Sequence, residues 1–298
     1  MLGRDAYVKH RRDDTANSWE TSVNSRNDEP ARQEHEKMLD ATIDTSVPHS
    51  ARIWNYWLGG KDNFPVDQQA GDEYVRVFPG IIDLARHSRA FLSRAIRYLA
   101  EVEGIRQFLD VGTGLPTVDN THEVAQRVAP NSRIVYVDND PLVLVHARAL
   151  LTSTTDGATD YVDADLYDPP AILRGARKTL DFNEPIALIL NGIMGHVTDD
   201  ATARDLVRRL LAGLPSGSYL ALNDGTDTDE AFAEAQEGYD ETGAVPYRLR
   251  RPDQVAAFFD GLTMIEPGFV PVNRWHPEPS PFEPTPDAHA YGGVGRKD

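Results

Sequence analysis

The stretch Phe108-Leu109-Asp110-Val111-Gly112-Thr113-Gly114-Leu115-Pro116-Thr117 runs from apolar residues into a glycine-rich turn. This is the pattern of a buried strand ending where a crossover begins. Glycines at a strand end permit positive φ and let a ligand approach the backbone without a Cβ in the way. A second run, Val135-Tyr136-Val137-Asp138-Asn139-Asp140, ends on acidic residues. Including those two, short apolar runs stand at 107–111, 133–137, 160–162, 186–190 and 219–222, with helical stretches between most of them at 121–128, 141–151, 169–179 and 201–211. Ile186-Ala187-Leu188-Ile189-Leu190 is apolar throughout, as a strand buried on both faces must be. Strand–helix alternation of this kind predicts an α/β, Rossmann-like fold with a parallel sheet and right-handed crossovers. Two further strands are expected at 263–270 and 290–294.

Upstream, 50–58 places Ile53, Trp54, Trp57 and Leu58 near one helical face and stops at Gly59-Gly60. Helices are also expected from Val66 or Asp67 to Val77 and from Ile82 to about Val102. The predicted organisation is a leader at 1–45, disordered or weakly helical, a helical lid at 46–104, and a Rossmann-like domain at 105–298.

In an open parallel sheet, ligands bind in the crevice beyond the carboxyl ends of the strands. There Asp110, Gly112, Gly114 and Asp138 fit two cofactor classes. A carboxylate at Asp138 accepts from both hydroxyls of a ribose. A dinucleotide site wants a third glycine three residues after the second, where the helix N-terminus faces the pyrophosphate; here Pro116-Thr117 stands instead. S-adenosylmethionine carries no phosphate, and its ammonium and carboxylate suit Asp110 and glycine N–H groups. Asp165 and Leu166, after the third strand, are expected to meet the adenine amine and ring, with Asn139 beside Asp138. The balance therefore favours S-adenosylmethionine over a nicotinamide cofactor.

The strings Tyr56-Trp57-Leu58-Gly59-Gly60-Lys61-Asp62-Asn63-Phe64, Arg106 to Thr117 and Val135 to Pro141 resemble a bacterial family of S-adenosylmethionine-dependent methyltransferases. This is methyltransferase family 19, formerly a domain of unknown function. The resemblance runs from about Pro48 to the C-terminus. It implies a class I methyltransferase sheet of seven strands, the last antiparallel, with 290–294 as that final inserted strand. The chain departs from the family pattern at Met194-Gly195-His196, where relatives read Leu-His-Phe, and at Asn223-Asp224, where they tend towards Ser-His.

Methyl transfer from a sulfonium is an in-line displacement, so the protein mainly aligns donor and acceptor. Asn191, after the fourth strand, is expected to bind the cofactor's amino-acid end or the acceptor, with Gly192 beside the methyl group. His196 is the candidate base, its ordinary pKa lying near neutrality. Asp224 and Asn223 are candidates for the acceptor pocket. In the lid, Tyr56, Lys61, Asp62 and Asn63 are expected to close over the ligand, and Arg89 to reach the cofactor carboxylate. Arg274-Trp275-His276 is a weaker candidate for the acceptor border.

The formal charge of −17 opposes backbone-driven nucleic-acid binding, which needs a basic surface. The chain has no cysteine, which excludes disulfides, thiolate catalysis and cysteine-bound zinc. No apolar run is long enough to span a bilayer, and residues 1–40 contain no signal-peptide core. The dispersed histidines suggest no metal site. The expected protein is a cytoplasmic methyltransferase acting on a small molecule, with no nucleic-acid or membrane partner. The alternatives are a non-catalytic S-adenosylmethionine-binding regulator and a nicotinamide-dependent oxidoreductase.

Overall fold

The computed structural model describes residues 44–150, 153–279 and 285–298. The leader expected at 1–45 lies outside them except for its last two residues, as does the middle of the proline-rich loop before the last strand. Five parallel strands build the sheet: β1 (Gln107–Val111), β2 (Arg133–Asp138), β3 (Ala158–Asp163), β4 (Ala187–Asn191) and β5 (Tyr219–Gly225). Three more complete it: β6 (Thr263–Met264), β7 (Val270–Pro271) and β8 (Ala290–Arg296). The order is β3-β2-β1-β4-β5-β8-β6, with β7 also on β8. β8 runs antiparallel between β5 and β6, as expected of the final strand.

The sheet has eight strands and not seven because the strand expected at 263–270 is interrupted. β6 and β7 both pair antiparallel with β8, but the six steps from Met264 to Val270 face only the three from Gly295 to Gly292. The extra residues bulge out at Glu266-Pro267-Gly268. Pro267 has no N–H for the ladder, and Gly268 sits at φ 87°.

Alternation along each strand divides the side chains between two cores. Phe108, Ile134, Tyr136, Ala187, Ile189, Tyr219 and Ala221 face one layer of helices; Leu109, Val135, Val137, Leu188, Leu190, Leu220 and Leu222 face the other. The first layer contains α1 (Ser50–Trp57), α2 (Pro65–Val77), α3 (Ile81–Glu101), α4 (Thr121–Val128) and α8 (Glu230–Asp240). The opposite layer contains α6 (Pro169–Ala176), α7 (Asp200–Ala212) and the short α9 (Pro252–Ala256), while α5 (Pro141–Leu150) follows β2. The helices expected as a lid thus share a core with the sheet. In α3, Ile81, Leu84, Ala85, Phe91, Leu92, Ala95, Ile96 and Leu99 form an apolar stripe at helical spacing, and Ser88 is the one polar side chain set in it.

The turn after α1 explains its own polar residues. Asn55 Oδ1 accepts from the Asp62 N–H at 3.0 Å and from Asn63 Nδ2 at 2.9 Å. A Cβ on Gly60 would lie 2.4 Å from that amide. The fully buried Asp67 binds Arg52 Nε at 3.1 Å and the N–H groups of His49 (2.9 Å) and Phe64 (2.8 Å), tying the start of α1 to α2. Removing either partner of such a buried pair strands a charge and costs about 3–5 kcal/mol.

Candidate functional site

Strand order reverses between β1 and β4, and a cavity of about 420 Å³ opens at that switch point, beyond the carboxyl ends of β1, β2 and β4. Its floor is glycine: Gly112, Gly114 and Gly192 have φ of 73°, 65° and 71°. A Cβ at Gly114 or Gly192 would meet nothing within 4 Å, so both expose backbone to open space; one at Gly112 would strike Ile193 at 2.4 Å. Asp138 holds the loop in shape. Its Oδ2 accepts from the Gly114 N–H at 2.8 Å, and its Oδ1 from the N–H groups of Asn139 and Asp140 at 2.9 and 3.1 Å. Burial raises its pKa, and the bonds from Gly114 and Asp140 oppose that rise. One carboxylate lone-pair site remains for a ligand hydroxyl. Asp140 takes the capping duty instead, accepting from the Leu142 N–H at 2.8 Å.

Around this floor the structure gathers Asn139, Asp165, Leu166, Arg89, Asn191 and His196 of the expected residues. Asp165 also closes its own turn through the Tyr167 N–H at 2.8 Å, and receives Asn139 Nδ2 at 3.3 Å. Arg89 bonds the Asp119 carbonyl and Asn120 Oδ1, each at 3.3 Å, while its Nε is buried without a partner.

Other expected residues stand elsewhere. Asp110 does not line the cavity: it shares the α3–α4 face, where Thr121 Oγ1 donates to it at 2.5 Å, and burial raises its pKa to about 6. Tyr56 points away, its hydroxyl donating to Asp72 at 2.7 Å. Lys61, Asp62 and Asn63 are also absent from the lining, the last two being spent on the turn around Asn55. Arg274-Trp275-His276 lies against α3, with Trp275 fully buried on Phe91 and its carbonyl accepting from Arg94 at 2.8 Å.

Asp224 is likewise no part of a cavity wall. Two residues after Leu222, it leaves the Asn223 face by alternation; the Tyr247 hydroxyl donates to Oδ1, and among the described residues Oδ2 meets no partner. Burial raises its pKa to about 7, against the Tyr247 bond and the Arg250 charge. Tyr247 also accounts for the departure at Gly195, since a Cβ there would lie 2.3 Å from the tyrosine ring.

A recess of about 40 Å³ adjoins the main cavity, and Ser50, Trp54, Ser88, Gly192 and His196 line both. Asn223 lines the recess, on the same face as Asn191 because both continue the Ala187–Ile189 and Tyr219–Ala221 alternation. His196 Nδ1 lies 3.0 Å from the Pro246 carbonyl, which can only accept, so Nδ1 carries the hydrogen and Nε2 keeps its lone pair. Burial lowers the His196 pKa, with the Pro246 bond opposing. Its neutral form is therefore the resident one near neutrality. Sequence reasoning passed over Ser88 and His49, which also line the main cavity. Ser88 had a readable signal, a hydroxyl inside an apolar stripe; His49 had none.

Solved structures resemble the whole described architecture. A DUF574 family protein from Streptomyces avermitilis is 46% identical with a TM-score of 0.82, the match covering 86% of this chain and 99% of that one. A protein from Thermobifida fusca, provisionally assigned as a methyltransferase, is 38% identical with a TM-score of 0.78, covering 85% and 96%. No curated protein matches the chain. The sequence profile of the S-adenosyl methyltransferase family matches residues 36–298, most of the chain. The chain belongs to that family, a class I methyltransferase in fold and an enzyme whose methyl donor is S-adenosylmethionine.

Proposed function

We propose that this methyltransferase acts on a small molecule held where the two cavities meet, at Ser88, Gly192 and His196. The observation that carries the reading is the shared wall: a cofactor-sized cavity communicates with a narrow recess past a histidine with a bare Nε2. A recess of about 40 Å³ fits part of a metabolite better than a macromolecular surface.

The cavity's free valences fit the cofactor. Asp138 has a lone-pair site for a ribose hydroxyl, the unpartnered Arg89 Nε is a donor for a carboxylate, and Val137, Ala164 and Leu166 offer apolar surface to adenine beside Asn139 and Asp165. The open backbone at Gly114 and Gly192 admits close approach, and Asn191 stands at the amino-acid end. When bound, S-adenosylmethionine supplies a methyl carbon activated by its sulfonium. Asn191 and Gly192 then orient the reacting ends, and His196 Nε2 takes a proton from the acceptor. Residues 46–104 act as a lid in this reading, contributing His49, Trp54 and Ser88 to the cavity wall.

Among the described residues no helix is long and apolar enough to cross a membrane. The acidic composition and the absence of cysteine support a cytoplasmic enzyme without a nucleic-acid partner, and the Streptomyces and Thermobifida relatives support a bacterial one. Calorimetric titration with S-adenosylhomocysteine, followed by methyl-transfer assays on a metabolite extract, tests the reading. Cofactor binding with turnover confined to the protein fraction of the extract would sink it.

A further inference from the structure

Three polar side chains at the junction form a closed ring. The Ser88 hydroxyl donates to Asn223 Oδ1 at 3.1 Å, Asn223 Nδ2 donates to Asn191 Oδ1, and Asn191 Nδ2 donates back to Ser88 Oγ at 3.3 Å. Ser88 and Asn223 are only 2% and 1% exposed, which shields their side of the ring from water, while Asn191 is half-buried at the main cavity. Each amide oxygen accepts one bond of the two its lone pairs allow, and each amide NH₂ gives one of its two hydrogens. The ring therefore offers both donor and acceptor sites without charge: Asn191 lines the main cavity and Asn223 the recess. Beside them stands the lone pair of His196 Nε2. Deeper in, the Tyr239 hydroxyl is buried without a partner at hydrogen-bond geometry, Ser50 lying close by.

The rest of the recess is mostly aromatic and stiff, with the Gln236 amide accepting from the Tyr74 hydroxyl at 3.1 Å and donating to Asp240 at 2.9 Å. Trp54 meets Trp57, Trp57 meets Tyr74, and Tyr74 meets Phe232 and Tyr239, all edge to face. No residue lining it carries a formal charge with His196 neutral. An ammonium would find lone pairs but no counter-charge. A carboxylate would find donors but no counter-charge, and an uncompensated buried ion costs several kcal/mol. A neutral hydroxyl satisfies both sides, accepting from an amide N–H and donating to Nε2.

We propose that the acceptor is a neutral, compact hydroxy compound with a flat apolar body, of which phenol is the simplest, one edge of that body in the recess and its oxygen at the Ser88–Asn191–Asn223 ring. This rests on the methyl-transfer reading above. The O–H bond breaks and its proton goes to His196 Nε2; the oxygen pair forms the bond to the methyl carbon while the carbon–sulfur pair stays on sulfur. The recess has room for on the order of three water-sized groups, so it takes part of a single ring and no fused system.

The test is calorimetry on the full chain saturated with S-adenosylhomocysteine, titrating phenol, benzylammonium and benzoate. Phenol is expected to bind at least about tenfold more tightly than either ion. In Ser88→Ala, which frees the second lone pair of the Asn223 oxygen as well, the phenol preference over benzylammonium is expected to shrink several-fold. Either ion binding as well as phenol, no phenol binding, or an unchanged preference in Ser88→Ala would each overturn the proposal while leaving the cofactor reading intact. Failure of S-adenosylhomocysteine itself to bind would bring down both.

Discussion

Asp224 offers a measurement that isolates one buried carboxylate. It is 1% exposed, held by Tyr247 at one oxygen and by nothing at the other, and burial raises its pKa from 3.8 to about 7. The folded protein therefore binds this proton more tightly than the unfolded chain. The resulting stabilisation is fully present below the unfolded pKa and is lost as pH rises through the folded one. At about 1.4 kcal/mol per unit the whole contribution is on the order of 4 kcal/mol, and about 3 of it lies between about pH 5 and about pH 8. Asp224→Asn keeps an oxygen for the Tyr247 hydroxyl and cannot ionise. Urea unfolding of both proteins across that window should show the parent losing about 3 kcal/mol relative to the variant. A constant offset, whatever its sign, would sit in the amide's different hydrogen bonding and leaves the slope as the test. A flat difference would mean that Asp224 is ionised throughout, and the reasoning from burial would be wrong.

Asp138→Ala leaves three backbone N–H groups without their acceptor and should weaken S-adenosylhomocysteine binding by about 100-fold or more by calorimetry; Asp165→Ala should cost only about tenfold. His196→Ala should lower kcat by about 10²–10⁴ with little change in cofactor affinity. In the parent enzyme, activity should rise with pH through the His196 pKa, which burial places below 6.5, the His49 charge adding to the lowering and Asp240 opposing it. An acid limb centred above that value would exclude His196 as the base. Gly112→Ala combines φ 73° with a Cβ 2.4 Å from Ile193, so it should destabilise by about 1–3 kcal/mol and loosen the cofactor site. A thermal midpoint within error of the parent would refute that.

Much of the fold was legible along the chain. The run at 186–190 read as a strand buried on both faces, and Gly112, Gly114 and Asp138 at strand ends marked the crevice, although Asp110 and Asp224 did not. These signals are local: they depend on a period of two, on φ, and on the residue that ends a run. The division of the expected sixth strand was less so, because the three-residue bulge at Glu266-Pro267-Gly268 is defined only against β8. The same holds for the site. Asp138, Gly112 and Gly114 could be picked out singly, but which face a strand-end side chain joins decides its role. Asn191 and Asn223 share the face of α3 and close a ring on Ser88, while Asp224, one residue further on, leaves that face and is held by Tyr247. Asp110 is drawn away by Thr121, eleven residues along the chain. The chain's local chemistry determined the sheet and the cofactor. The recess was decided only by tertiary packing, because much of its wall comes from α1, α2, α3 and α8, which nothing in the local sequence brings together.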